Sequence, residues 1–391
     1  MEDVVIVSGV RTPIGKFQGA YSNLSASDLG AIAIKEAVSR AGIEPSQVDH
    51  VILGCVGQVA EDGYISRHAA VKAGMPIETP ALSVNRICGS GLEAINTGAR
   101  YIQTGDAEIV VAGGTENMTM MPYYVRQGRN GYRMGNGVLE DGILHLLGDP
   151  FRPQHMGITA ENLAEKYEVS RETQDEYSMR SQERAAAAIA AGRFKDEIVP
   201  VQVKQGKETV TIEQDEHPRQ TTVEALGKLR PAFKEGGMVT AGNSSGINDG
   251  AAAVVMMSAS KAKELGLKPR LRIVARAESG VDPSIMGEGP IPAVQKALKK
   301  ANLTIDQIDL IELNEAFASV AAACSTALHL DPEKTNVNGG AIALGHPVGA
   351  TGAILTVKLM HEMERRNSRY GLVSLCIGGG QGIATIFERV E

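Results

Sequence analysis

The sequence predicts an α/β protein made of two similar halves, and three observations carry that expectation. Apolar runs of strand length alternate with amphipathic helical patterns along most of the chain, the signature of parallel sheets covered by helices on both faces. The segment Ala41 to Leu53 (AGIEPSQVDHVIL) returns as Ala301 to Leu313 (ANLTIDQIDLIEL), so the chain looks duplicated. The turn after the first strand, Arg11 to Lys16, carries neither Gly-x-Gly-x-x-Gly nor Gly-Lys-Ser/Thr, which argues against a nucleotide-binding α/β fold.

A chain of 391 residues can bury a large core and hold two or three domain-sized units. Its 43% hydrophobic and 22% charged residues are ordinary globular usage, whereas 44 glycines exceed the typical share of about 7% and point to many tight backbone approaches. A net charge of −7 gives no support for nucleic-acid or membrane-surface binding, which leaves small molecules as the expected partners. The four cysteines, Cys55, Cys88, Cys324 and Cys376, form no Cys-x-x-Cys pair. Neither a zinc site nor a disulfide framework is expected, and reduced thiols fit a cytoplasmic compartment. The amino terminus enters a strand at once, without a secretory pattern, and no uncharged stretch reaches the ~20 residues that span a bilayer.

Taken in order, the first strand runs from Asp3 to Gly9. Ser27-Asp28 reads as the cap of a helix through Leu29, Ile32, Ala33, Ala37 and Val38 that ends at Ala41-Gly42. A strand at Val51 to Gly54 follows, then the run Ser83 to Ile95, then the strand Ile109 to Gly114. Val337-Asn338 echoes Val84-Asn85, and Leu372 to Gly378 echoes Ile109 to Gly114. Between the halves the pattern changes to loops, a long helix from about Thr173 to Ala191, and a charged stretch, Gln202 to Arg219, read as solvated surface. The division is therefore 1–119 with 240–268 for the first half, 120–239 for an inserted loop domain, and 269–391 for the second half. Ligands collect at the carboxyl ends of strands in such sheets, so the loops after Val84, Leu313, Val337 and Leu375 are expected to share one cleft.

Each of those loops carries a reactive group. Cys88 follows a strand pattern and precedes a helical one, where free N–H groups and the helix dipole favour a thiolate and draw its pKa from about 8.5 toward neutrality. Gly89 and Gly91 would leave room for an acyl group. The competing reading is a buried cysteine packing as a small hydrophobe, which its glycine, serine and asparagine neighbours disfavour. His346 lies in a loop of five glycines, Gly339 to Gly352, and suits proton removal from a thiol; a histidine that only caps a helix is the alternative. Cys376 opens Gly378-Gly379-Gly380, whose N–H groups can form an oxyanion hole. Asn314 could hold a water or a carbonyl, and Glu315 could orient His346. His50, His68, His145, His217, His329 and His361 show no metal spacing, and Cys55 and Cys324 read as structural.

Together these motifs resemble the thiolase family nearly end to end. They are Val10 to Gly15, Asn85 to Gly91, Gly113 to Met118, Gly242 to Ala251, Asn314 to Ala318, Gly339 to Gly352 and Cys376 to Gly382. The resemblance implies a five-layered αβαβα sandwich, usually dimeric or tetrameric, with acetyl-CoA C-acetyltransferase activity. Cys88 would be acylated after His346 takes its proton, and Cys376 would deprotonate a second acetyl-CoA. Asn314, with His346, would hold the enolate oxygen through water, and the N–H groups of Cys88 and Gly378 the tetrahedral oxyanion. Coenzyme A thioesters are then substrates, with no resident cofactor and no metal. The resemblance places coenzyme A near His155, Met156, Arg219, Leu226, Leu229, Phe233 and Ser245, and the acyl end at Met286 and Phe317. The segment Gly135 to Gln154 departs from the short-chain biosynthetic pattern, so a broader-chain 3-ketoacyl-CoA thiolase of fatty-acid degradation is the alternative. Decarboxylating or hydroxymethylglutaryl-type relatives put histidine or glutamate where Cys376 stands. A non-catalytic binding protein would not need Cys88, His346 and Cys376 together.

Overall fold

A computed structural model of the chain describes residues 2–390. The first half supplies β1 (Val4–Arg11), α1 (Ala26–Ala41), β2 (His50–Gly54), α2 (Ile65–Lys72), β3 (Ala81–Val84), α3 (Ser90–Thr104) and β4 (Ile109–Asn117). An insertion containing α4 (Met156–Lys166) and α5 (Arg171–Ala190) precedes β5 (Asn248–Ser258). The second half supplies β6 (Leu271–Gly280), α6 (Pro290–Ala301), β7 (Leu310–Leu313), α7 (Ala318–Leu328), α8 (Thr351–Arg366), β8 (Tyr370–Ile377) and β9 (Gln381–Arg389).

The duplication is visible in the strand order. The first half runs β3-β2-β4-β5-β1 and the second β7-β8-β9-β6, while the counterpart of β3 shrinks to a single parallel bridge between Ile311 and Thr335. The halves join edge to edge only where Val5 meets Arg272 and Ile6 meets Leu271. The sheets are mixed rather than parallel as expected. β2 pairs parallel with β3 and β4, and β7 with β8, but β5 and β9 run antiparallel to their neighbours. The physical reason is plain in the second half, where β8 and β9 are joined by a three-glycine turn too short for a parallel crossover.

Five layers result, with α1 and α2 outside the first sheet, α3 and α8 between the sheets, and α6 and α7 outside the second. Three apolar clusters fill them: Val5, Leu29, Ile34 and Val51 on one outside, Leu92, Ile95, Ile354 and Leu359 in the middle, and Val294, Leu313, Val320 and Ile386 on the other. Each such side chain removed from water is worth about 1.5–3 kcal/mol. α1 shows how local sequence sets an element: its cap is Ser25 rather than Ser27, in a reciprocal box with Asp28, and Gly42 at φ 70° ends it.

The charged stretch differs from the solvated surface expected of it. Residues 201–212 form a hairpin, and Asp215 is buried, paired at 2.7 Å with a fully buried Arg11 that also holds Glu197. Among the described residues no helix is long and apolar enough to cross a membrane.

Candidate active site

β3 ends at Val84 and α3 begins at Ser90, so Cys88 sits in the tight turn between them. Ile87 holds φ 45° immediately before it, a conformation that costs a branched residue strain. Ser90 locks the turn, its Oγ accepting from the Arg86 N–H at 2.8 Å and donating to the Ile87 carbonyl at 2.7 Å. The Cys88 sulfur receives the N–H groups of Gly378 and of Cys88 itself.

The thiolate expected near neutrality is not found. Burial pushes the Cys88 thiol up to about 11, against those two N–H groups, and the nearby Glu116 carboxylate adds to the rise. Gly89 and Gly91 also serve a different purpose from the acyl room expected of them. A Cβ on Gly89 would strike Ile377, and one on Gly91 would lie 2.8 Å from the Ala353 nitrogen, so these glycines let α3 press against the second half.

A thiol at about 11 needs a base to ionise near neutral pH, and the His346 imidazole lines the same cavity. Burial alone lowers its imidazole to about 4, so it is neutral at ordinary pH. Its Nδ1 lies 2.6 Å from Thr351 Oγ1, whose own hydrogen is donated to the Pro347 carbonyl. Nδ1 must therefore carry the proton, and Nε2 keeps its lone pair. The Asn314 amide nitrogen lies 3.4 Å from Nε2, while Asn314 Oδ1 is buried with no partner among the described residues. That acceptor is free for a polar group of a ligand or a water. Glu315 does not orient His346 as expected: it holds Ser181, Asn336 and the Ile342 N–H instead. Thr351 takes that role, and its place at the first position of the helix that follows the His346 loop is the signal that could have found it.

Cys376 lies near the end of β8, paired with Gly382 across the hairpin, and burial together with the Cys88 sulfur pushes its thiol up. Gly379 and Gly380 at φ 83° turn the chain, and a Cβ on Gly378 would sit 2.5 Å from Met156.

One cavity of about 50 Å³ is lined by Cys88, His346, Gly378, Ile87, Leu146, Leu147, His155, Met156, Ser245, Met286, Ala316, Phe317 and Val348, whereas Cys376 and Asn314 lie behind this lining. No carboxylate, lysine or arginine lines it. Five of the nine expected substrate contacts, His155, Met156, Ser245, Met286 and Phe317, are thus brought together. Phe233 is one layer removed, stacked on His155 at 4.6 Å and edge-on to Phe317. Arg219, Leu226 and Leu229 do not line the cavity. Arg219 donates to the Ala241 carbonyl, and the two leucines press on Gly242, where a Cβ would come within 2.5 Å of Leu229. His155 also caps α4, its Nδ1 accepting from the Gly157 N–H at 3.0 Å. Ile87, Leu146, Leu147 and Val348 are apolar lining that sequence reasoning did not single out. Among the described residues no three His, Cys, Asp or Glu side chains gather to hold a metal.

Family models for the thiolase N-terminal domain and the thiolase C-terminal domain match residues 4–260 and 267–389. An acetyl-CoA acetyltransferase from Syntrophomonas wolfei is 52% identical over 391 residues, 99% of both chains. The crystal structure of the Bacillus anthracis acetyl-CoA acetyltransferase superposes with a TM-score of 0.98 at 47% identity, covering 100% of this chain and 99% of that one. Human mitochondrial 3-ketoacyl-CoA thiolase in complex with CoA gives a TM-score of 0.96 at 47% identity, over 100% and 98%.

Proposed function

The chain belongs to the thiolase family and is an acyltransferase, and from that premise we propose that it is an acetyl-CoA C-acetyltransferase working through an acetyl-Cys88 thioester. The observation that carries this reading is the pairing of a thiol held at about 11 with a neutral imidazole whose unprotonated Nε2 meets only the Asn314 amide among the described residues, at 3.4 Å, both on one 50 Å³ cavity. Cys88 gives its proton to His346 Nε2 as sulfur attacks the acetyl carbonyl, and the Cys376 thiol gives its proton to the departing CoA sulfur, which leaves Cys376 as a thiolate beside a protonated His346. The Cys376 thiolate takes a methyl proton from a second acetyl-CoA, the resulting carbanion attacks the Cys88 thioester, and acetoacetyl-CoA leaves as the released Cys88 sulfur takes back the proton held on His346. The N–H groups of Cys88 and Gly378 hold the tetrahedral oxyanion, and His346 with a water on Asn314 holds the enolate oxygen. The reverse direction is thiolysis.

The small cavity favours acetyl over longer chains, which weighs against the broader-chain alternative. Residues 120–239 then form the insertion that covers coenzyme A, with Arg219, Leu226, Leu229 and Phe233 along its path. A homodimer or homotetramer fits the half-exposed terminal strand β3 and the exposed apolar run of Tyr123, Met134, Val138, Leu139 and Phe151, which need covering. A cytoplasmic role in fatty-acid metabolism fits the substrates. The test is intact mass after mixing with acetyl-CoA. One acetyl adduct in the parent and none in Cys88→Ala is expected; no adduct in the parent would sink the reading.

A further inference from the structure

The base and the nucleophile belong to different halves, so something must fix the His346 loop against the Cys88 turn. Two side chains of the first sheet do so. Asn248 Oδ1 accepts the N–H of His346 itself at 3.0 Å, and Glu116 Oε2 accepts the N–H of Gly349, three residues on, at 2.7 Å. Glu116 pairs in register with Gly250, two residues from Asn248, so both side chains leave the same face of the first sheet on neighbouring strands. Each is anchored behind the loop. Asn248 Nδ2 donates to the Gly15 carbonyl at 3.0 Å, and Glu116 accepts the N–H groups of Val56 and Gly57 at 3.0 and 2.8 Å. Glu116 is 0% exposed, has no cation among its hydrogen-bond partners, and spends both oxygens on backbone donors and the Cys55 thiol.

The loop is cut to this grip. A Cβ on Gly345 would lie 2.6 Å from Asn248, and one on Gly349 would lie 2.6 Å from Glu116 Oε2 and 2.7 Å from the Cys55 Cα. Burying an unpaired carboxylate is costly, and a merely structural joint between halves could be made of apolar side chains such as Leu92, Ile95, Ile354 and Leu359 of the middle layer. Backbone donors at two points of one four-residue loop instead specify its position.

We propose that Asn248 and Glu116 form a two-point clasp that positions His346 for proton transfer from Cys88. They are positioning residues, acting through the His346 loop and touching no substrate. The inference rests on the acyl-transfer reading above for its consequence, though the clasp itself is a matter of the Cys88–His346 pair.

The experiment compares the parent with Glu116→Gln, Asn248→Ala and Asn248→Asp. It measures single-turnover acetylation of Cys88 by acetyl-CoA, the KM for acetyl-CoA, and, separately, Cys88 alkylation by iodoacetamide, which needs no coenzyme A. Glu116→Gln keeps the side chain's size, but its amide turns a donor toward backbone donors. Asn248→Asp keeps the oxygen that holds His346. Acetylation and alkylation slowed together by about tenfold or more in Glu116→Gln and Asn248→Ala, KM within about twofold, and recovery to within about threefold in Asn248→Asp support the clasp. Acetylation and alkylation within twofold of the parent in all folded variants, or a loss confined to KM, overturn it. If the parent takes no acetyl group yet alkylation follows the expected order, the clasp stands and the acetyl-CoA reading falls.

Discussion

The two halves share a strand order but differ in how the last two strands of each are joined. In the second half β8 turns into β9 through Gly378, Gly379 and Gly380 alone, whereas in the first β4 and β5 are separated by residues 118–247. The short connection keeps backbone N–H groups at the sheet end, where Gly378 serves the sulfur of the other half. The long one supplies Leu146, Leu147, His155 and Met156 as a wall over it. In the proposed mechanism the turn after β3 carries the nucleophile, Cys88, and the corresponding loop of the second half, after Val337-Asn338, carries the base, His346. Duplication thus produced two similar scaffolds, and the chemistry arose from their unlike loops meeting at one end of the sheets.

The sharpest way to test this division is to remove one cysteine from each half. Cys88→Ala should lose the acetyl adduct and lower turnover by about 10⁴-fold or more. Cys376→Ser should still take the acetyl group but condense about 10²–10⁴-fold more slowly, since it keeps the nucleophile and loses the base. Equal condensation rates in Cys376→Ser and the parent would break the assignment of separate roles.

A second test uses pH. In the parent, His346 at about 4 is a neutral base from pH 5 to 9, so Cys88 acylation should vary little over that range and fall as pH drops through about 4. In His346→Ala the thiol at about 11 must ionise unaided. Only about 10⁻³ of it is thiolate at pH 8, so acylation should be about 10³-fold slower there and rise about tenfold per pH unit up to pH 10. A His346→Ala profile as flat as the parent's would mean that another group takes the proton.

Much of this was legible in the sequence because it lies in short local patterns. The offset repeat gave the duplication, glycine-rich turns gave Cys88, His346 and Cys376, and apolar alternation gave the strands. What was missed depends on contacts between distant segments. Burial, which sequence does not report, reversed the expected ionisation of Cys88. Glu315 stands beside Asn314 in the chain, yet its carboxylate turns to Ser181 and Asn336, while Thr351 reaches His346 because α8 starts there. Asp215 looked like part of a solvated charge run because its partner, Arg11, lies far away in sequence. Antiparallel β5 was hidden by the long insertion before it.

The wall from the insertion gives a further comparison. Ile87, Leu146, Met156 and Gly378 border both the 50 Å³ cavity and a neighbouring one of about 310 Å³ that Val56, Met121, Tyr124 and Pro150 also line. Thinning the partition with Leu146→Gly should admit longer acyl chains. Thiolysis of a six-carbon 3-ketoacyl-CoA, relative to acetoacetyl-CoA, should rise by about tenfold, the scale of its two extra methylenes at about 0.8 kcal/mol each. An unchanged ratio would place the limit on chain length elsewhere.

The smallest expected effect concerns one matched position in the repeat. Ile52 of β2 and Glu312 of β7 occupy corresponding places, and both face the middle of the molecule. Ile52 packs in the central apolar cluster, while Glu312 pairs with Lys358 of α8 at 2.9 Å, and Lys358 also donates to the Gly339 carbonyl at 2.8 Å. Burial raises the Glu312 carboxyl to about 7, despite the lysine. Lys358→Met alone strands that carboxylate and should cost about 3 kcal/mol, whereas Glu312→Ile with Lys358→Met imitates the first half and should be neutral or stabilising by about 1–2 kcal/mol. Because a carboxyl raised in the folded state gives stability below its unfolded value that is lost as pH rises through about 7, the double variant should gain most at pH 7.5 and least at pH 4.5. Urea midpoints at the two values measure this. The second half then keeps its ion pair for position rather than stability: without Lys358 the Gly339 carbonyl loses its donor, and acylation in the stable double variant should slow by a few fold. A double variant both less stable and equally fast would show the pair to be an ordinary stabilising contact, and the two halves to be more alike at this position than their sequences suggest.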